Sequence, residues 1–310
     1  MSGVPQGSVL GPILFAVFIN TLDLPIRDKV DFLSKFADDT KVGKKVSNSS
    51  DCEIMQQIIN RLFDWSKQWQ MEFNVSKCKL VHFGKSNDCH PYMMNNQPLV
   101  KSNKEKDIGV IISDDAKPST QCAAAAKKAN ITLGRMARAV SFRDKRVWLR
   151  LYQVYVRPQL EYAIQAWRPW LAKDIKMLED VQRRAVRMTS GLTGTCYEDR
   201  LEEVGMTSLE ERRARGDAIQ VWKILSQYDD IEESTWFNRC NDIASRDTRQ
   251  SSNTLNLQHK GFKYDFRKHS FSVRSTRHWN SLPTSVRESK TLRQFKSAYD
   301  VHSKNVQRQT

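Results

Sequence analysis

Ser34-Lys35-Phe36-Ala37-Asp38-Asp39-Thr40-Lys41-Val42 is a strand-like run interrupted by two adjacent carboxylates and then resumed. Aspartate is disfavoured in strands and favoured in turns, so the chain is expected to bend at Asp38-Asp39. In a straight strand, neighbouring side chains point to opposite faces, and two adjacent aspartates can serve one site only at such a bend. A hairpin tip carrying two carboxylates suits a hard divalent cation such as Mg²⁺. A solvated turn is the alternative that an isolated Asp-Asp leaves open.

The sequence around this run has 310 residues, 39% of them hydrophobic, with a formal net charge of +15. That length supports a large core and two domains. The longest apolar run, residues 9–19, contains Gly11 and Pro12 and is too short to span a membrane. No basic segment precedes it, so no signal peptide is expected. The six cysteines form no Cys-x-x-Cys pair and no Cys/His cluster. A zinc site or disulfide framework is therefore not expected, and an intracellular, reducing location, nuclear or cytoplasmic, fits. The positive charge points to nucleic acid or another polyanion as partner.

Upstream of the aspartates, Ser2-Gly3-Val4-Pro5-Gln6-Gly7-Ser8 reads as a loop with Ser8 as N-cap. It feeds a buried helix of about four turns, with Pro12 in its first turn, ending before Pro25. Downstream, Ser50 and Glu53 fit a capping box. Ile54, Ile58, Leu62, Trp65 and Trp69 give the following helix one buried face. Residues 80–83, 99–100 and 108–112 read as short strands, with Asn95-Asn96 as a turn. The first part is thus α+β, with helices on a small antiparallel sheet. From residue 119 the pattern becomes helical, over 120–139, 145–156, 158–167, 173–188 and 209–227. Lys127, Lys128, Arg135 and Arg138 fall in this basic stretch, which has aromatic residues interleaved. Trp148, Tyr152 and Tyr155 recur on one helical face and read as core. Residues 229–260 read as a linker or mobile loop, and 272–279 and 291–299 as two further helices.

Four stretches together resemble a reverse transcriptase of the non-LTR, jockey-like retrotransposons. They are Ser2 to Pro12 (Ser-Gly-Val-Pro-Gln-Gly-Ser-Val-Leu-Gly-Pro), Phe36-Ala37-Asp38-Asp39, Phe73-Asn74-Val75-Ser76-Lys77-Cys78-Lys79, and Asp107-Ile108-Gly109-Val110. The resemblance implies a partial right-hand polymerase: palm over 1–115, helical thumb and connection over 116–228, linker over 229–260 and a C-terminal helical segment over 261–310. By the same resemblance Asp38 and Asp39 are catalytic and hold Mg²⁺, two ions in a full-length parent. Lys77 is catalytic, near the triphosphate. Pro5, Gln6, Gly7, Phe36 and Ala37 line the template and nucleotide pocket, and Ile108, Gly109 and Val110 form the primer grip. Lys127, Lys128, Arg135 and Arg138 contact the nucleic-acid backbone. The implied partners are an RNA template, a DNA primer, the RNA–DNA hybrid and a dNTP, with no membrane. The family's other catalytic aspartate precedes the Ser-Gly-x-Pro-Gln-Gly loop, which here begins at residue 2. A truncated element with little or no polymerase activity of its own is therefore expected. A non-catalytic RNA- or DNA-binding remnant, or a decayed copy without function, are the other readings.

Overall fold

The computed structural model describes residues 7–84, 87–194, 196–240 and 255–307. The chain forms two compact units, Met1–Glu105 and Lys106–Thr310.

In the first unit, helix α1 (Gly11–Ile19) is followed by a 3₁₀ turn, Asn20–Asp23. Ser8 caps it from two residues before the formal N-cap, accepting a bond at 3.1 Å from the Gly11 amide. The expectation of a buried helix up to Pro25 does not hold. Val9, Leu10, Ile13, Leu14 and Val17 are exposed, and the helix buries Ile19. The α-helix stops at Ile19, and Leu24 stays in the right-handed helical region although Pro25 follows it.

Strands β1 (Phe32–Phe36) and β2 (Asp39–Gly43) pair antiparallel, with Phe36 opposite Asp39. Helix α2 (Ser49–Gln68) is capped by Asn48, not Ser50. The Asn48 side chain accepts from the Asp51 amide at 2.9 Å, and the Asp51 carboxylate accepts from the Ser47 amide at 2.8 Å. The first of these bonds satisfies an amide that the first turn leaves without a helical partner, and the second ties the preceding residue to the helix start.

Helix α2 organises the unit because two of its faces are buried. Ile58, Leu62 and Trp65 pack with Ile19, Leu22 and Ile26, while Ile59 packs with Tyr92 and Met94. Trp69, expected on the buried face, is largely exposed at the end of that row. Gln56 docks the next strand onto α2: its amide nitrogen donates to the Met93 carbonyl at 2.7 Å, and its carbonyl accepts from the Met93 amide at 2.9 Å.

The single antiparallel sheet expected here is replaced by separate two-stranded pairs. Strand β3 (Lys79–Leu80) is shorter than the 80–83 run and pairs parallel with β6 (Val100–Lys101). Strands β4 (Met93–Met94) and β5 (Gln97–Pro98) form a hairpin with Met94 opposite Gln97. Its two turn residues are the predicted Asn95-Asn96, at φ 52° and 56°. Positive φ at both positions is the type I′ geometry, which matches the twist of the strands it joins. Strands β7 (Lys104–Asp107) and β8 (Val110–Ser113) pair next. Ile108 and Gly109, read as strand from their apolar sequence, are the turn of this hairpin, at φ 43° and 85°.

The second unit, which begins at Lys106 within β7, is helical beyond that hairpin. Helix α3 (Ser119–Ala139) buries Leu133 together with Cys122, Ala125, Ala126 and Ala129, the last four small enough for the helix over Ala172–Arg187 to approach closely. Helix α4 (Lys145–Leu151) runs into a π-helical turn, Tyr152–Val156, and on into α5 (Arg157–Glu161). Pro158 has no amide to bond back into the helix, and the Arg157 amide reaches the Tyr152 carbonyl five residues back. The wider turn rotates the following face. Trp148, Tyr152 and Val156 are enclosed, while Tyr155, expected in the core, is exposed.

The helix expected over 158–167 is broken at Ala163 (φ 50°) and resumes as α6 (Ile164–Trp167). Helices α7 (Ala172–Arg187), α8 (Tyr197–Glu203) and α9 (Leu209–Leu225) follow. Helix α8 was not anticipated. Its cap is Cys196, whose Sγ accepts from the Asp199 amide at 3.3 Å.

Short α10 (Glu233–Trp236) and α11 (Asp265–Lys268) precede α12 (Phe271–Ser281), α13 (Thr284–Arg287) and α14 (Leu292–Gln307). Within the expected linker 229–260, Phe237 and Leu257 are buried and Arg239 bridges Leu257, so its described ends belong to the fold. The remainder, 241–254, lies outside the described residues. Two cores result. One joins α3 to α8 and ends at Leu209. The other sets Ala218, Val221 and Trp222 of α9 against Phe271, Trp279 and Phe295. Helix α9 contributes to both. The six cysteines are free.

Candidate functional site

The carboxylates stand at the tip of the β1–β2 hairpin. Its register leaves Ala37-Asp38 as a two-residue turn, with Ala37 in the left-handed region at φ 52°, and Asp39 opens β2. Phe36, Ala37, Asp38 and Asp39 are all exposed. The hairpin is anchored close to its tip by Lys35, which pairs with Thr40 and whose ammonium donates to Asp23 at 2.7 Å and to the Ile19 carbonyl at 3.2 Å. Together with Arg27, this contact holds the Asp23 carboxyl down at about 2, with the Lys35 hydrogen bond the largest cause. Asp23 is thus committed to an ion pair, and Asp31 accepts from the Lys45 amide at 2.6 Å. Carboxylate oxygens are the right donors for a hard divalent cation. The count falls short, however: among the described residues no three His, Cys, Asp or Glu side chains converge where a metal ion could be held.

Pro5 and Gln6 lie outside the described residues. Gly7 is exposed at φ 85°, a conformation that favours glycine. Lys77 is exposed in a turn whose backbone is fixed by bonds from the Lys77 and Cys78 amides to the Asn74 carbonyl, at 2.9 and 3.2 Å.

In the second unit, Ile108 and Gly109 form the β7–β8 turn and Val110 is buried in the helical core. Sequence reasoning missed how this turn is held. Tyr162 donates its hydroxyl to the Ile108 carbonyl at 3.0 Å, and its ring would lie 3.2 Å from a Cβ added at Gly109. A side chain there would be both strained in φ and crowded. Tyr162 is followed by the left-handed Ala163, and no residue type in that stretch announces either feature.

Lys127, Lys128, Arg135 and Arg138 are all exposed on α3. At about 100° per residue they fall within an arc of roughly 100°, forming one basic stripe. Neighbouring cations of the same basic run are structural instead. Arg143 donates to the Ala137 carbonyl at 2.9 Å and stacks over Trp148, Lys145 bonds the Glu203 carbonyl, and Arg157 pairs with Glu161. No helix among the described residues is long and apolar enough to cross a membrane.

Residues 1–123 match the family described as reverse transcriptase (RNA-dependent DNA polymerase). Divalent metal ions and nucleic-acid template, primer and dNTP go with that family's chemistry. The chain is 26% identical over 202 residues to the RNA-directed DNA polymerase from mobile element jockey of Drosophila funebris, covering 61% of this chain and 22% of that protein. It is 26% identical over 198 residues to the probable RNA-directed DNA polymerase from transposon X-element of Drosophila melanogaster, again covering 61% and 22%. It is 34% identical over 87 residues to the probable RNA-directed DNA polymerase from transposon BS of the same species, covering 24% and 9%. The chain therefore spans about a fifth of the length of the first two relatives. No solved structure matches it significantly. The first 123 residues thus match the reverse transcriptase family, and the chain is similar over about three fifths of its length to jockey-like polymerases of non-LTR retrotransposons.

Proposed function

We propose that the chain is the part of a non-LTR retrotransposon RNA-directed DNA polymerase that carries the carboxylate hairpin and the domain gripping the template–primer hybrid. The observation that carries this reading is the exposed Asp38-Asp39 tip of a two-residue hairpin inside the segment that matches the family. In this reading residues 1–115 are palm, 116–228 thumb and connection, and 261–310 a C-terminal helical segment. Asp38 and Asp39 offer oxygens to Mg²⁺, while Pro5, Gln6, Gly7, Phe36 and Ala37 line the nucleotide and template pocket. Lys77 supplies a proton to departing pyrophosphate. The turn at Ile108, Gly109 and Val110, steadied by Tyr162, positions the primer end. Lys127, Lys128, Arg135 and Arg138 neutralise phosphates of an RNA–DNA hybrid whose sequence varies, so that backbone charge rather than base edges is read.

Two-metal nucleotidyl transfer draws its carboxylates from more than one strand. Two neighbours on one hairpin fall short of that, so this chain on its own is expected to extend primers little or not at all. Primer extension on a homopolymer RNA template with Mg²⁺ or Mn²⁺ is the test. Robust incorporation that Asp38→Ala abolishes would overturn the inactivity while supporting the polymerase assignment. A second reading, a non-catalytic hybrid-binding protein, is favoured by the α3 stripe. It requires an affinity for RNA–DNA hybrid that falls steeply with salt.

A further inference from the structure

The segment Gly261-Phe262-Lys263-Tyr264-Asp265-Phe266-Arg267-Lys268 is exposed at every residue. Three aromatic rings occupy alternate positions in it, with Phe262 46% exposed, Tyr264 56% and Phe266 47%. So much aromatic surface in five residues, held in water, marks an interaction site rather than scattered surface apolarity.

The segment is ordered rather than loose. The Tyr264 carbonyl accepts from the Arg267 and Lys268 amides at 3.0 and 3.1 Å, which closes the turn of α11. His269 stacks on Trp170, with ring centroids 5.0 Å apart and planes 3° from parallel, and Arg274 donates to the His269 carbonyl at 2.8 Å. The Tyr264 and Phe266 rings lie 9° from parallel with centroids 5.7 Å apart, and the Lys263 ammonium lies 5.6 Å from the Tyr264 centroid. Three cations, Lys263, Arg267 and Lys268, stand against one carboxylate, Asp265. Parallel aromatic faces flanked by cations match the chemistry of unpaired bases on a polyanionic backbone. Every base has a π-face to stack, and every linkage a phosphate to neutralise. A purely apolar protein partner would gain nothing from the interleaved charges, and a duplex keeps its bases out of reach of the rings.

We propose that Phe262, Tyr264 and Phe266, with Lys263, Arg267 and Lys268, form a stacking platform for single-stranded nucleic acid. It lies on a different element from the α3 stripe assigned to the hybrid, and it does not depend on polymerase activity.

The test uses the full chain and fluorescence anisotropy with three probes: a single-stranded oligonucleotide, the same backbone carrying abasic sites, and an RNA–DNA hybrid. The double variant Tyr264→Ala/Phe266→Ala should lose roughly tenfold or more in affinity for the base-bearing strand. It should bind the abasic strand and the hybrid as the parent does, with an unchanged salt slope, because no cation has been removed. Both rings are exposed, so the thermal transition should not move. The triple variant Lys263→Gln/Arg267→Gln/Lys268→Gln should instead flatten the salt slope on the single strand. Unchanged affinity of the aromatic variant for the base-bearing strand overturns the proposal, as does an equal loss on the abasic strand. So does a parent protein that self-associates through these rings in sedimentation, since the patch would then be an interface between copies.

Discussion

Trp148, Tyr152, Leu160 and Val156 in Lys106–Thr310 are completely enclosed by their own unit's helices, whereas in Met1–Glu105 the most apolar helix, α1, leaves Ile13, Leu14 and Val17 in water, with Val9 and Leu10 exposed just before it. The first unit's buried side chains gather on the two faces of α2, and its strands are pairs of two to five residues. Pairs that short are marginal without packing beneath them. The carboxylate hairpin, the element closest to chemistry, thus belongs to the unit with the thinner core. The thicker core belongs to the unit that presents cations and aromatic rings on its surface. The larger buried cores and the candidate catalytic carboxylates are separated along the chain.

That contrast can be broken in three ways, in descending order of effect. Asp217 is 1% exposed and accepts from Arg168 at 2.9 Å and from Arg274 at 2.8 and 3.1 Å. Replacing it with alanine leaves two guanidinium groups without their buried partner and should cost about 3–5 kcal/mol. Hydrogen exchange followed along the chain should show that loss confined to the second unit. Equal loss in both units would mean that they unfold as one.

Asn96→Ala addresses the first unit. A left-handed alanine costs about 1–2 kcal/mol, and Asn96→Gly should restore or exceed the parent. The amides of residues 93–98 should lose protection in the alanine variant, with the second unit unaffected.

The smallest effect is a pH dependence. The Asp23 carboxyl is held at about 2 against an ordinary 3.8. A depressed carboxyl pKa stabilises the folded form fully above the unfolded value, and that stability is lost as pH falls through the folded one. The Lys35–Asp23 contribution should therefore be complete above about pH 3.8 and fade toward pH 2. Asp23→Asn should remove this part of the acid sensitivity of the first unit, read from unfolding midpoints over that range. An unchanged pH profile would show that the pair does not anchor the hairpin.

The features legible in the sequence are those that local chemistry dictates. Helix α3 is written in its alanine-rich composition and the Asn95-Asn96 turn in the tolerance of asparagine for positive φ; the bend expected at Asp38-Asp39 comes one residue earlier, at Ala37-Asp38, and Asp39 opens β2 despite the poor strand propensity of aspartate. Where competing local signals existed, reading by periodicity failed. Ile108-Gly109-Val110-Ile111-Ile112 has the apolar content of a strand, but Gly109 allowed a turn and Tyr162 holds it. Tyr155 has helical spacing from Trp148 and Tyr152, but the π turn before Pro158 brings Val156 inward in its place. Asn48 outcompeted Ser50 as the α2 cap although both are good capping types.

For the site, the sequence by itself determined which groups are available: two adjacent carboxylates at a bend, a lysine in a turn, cations spaced along a helix. Those follow from residue type and near-neighbour conformation, which act over a few residues. Only the tertiary structure decided which of the cations face water and which tie helices together, and which aspartate is spent on Lys35. It also decided that three aromatic rings near residue 264 stay outside the core while a fully buried Trp148 stays within it. Those outcomes depend on helix-to-helix packing between residues far apart in the chain, and a pattern read one turn at a time does not contain it.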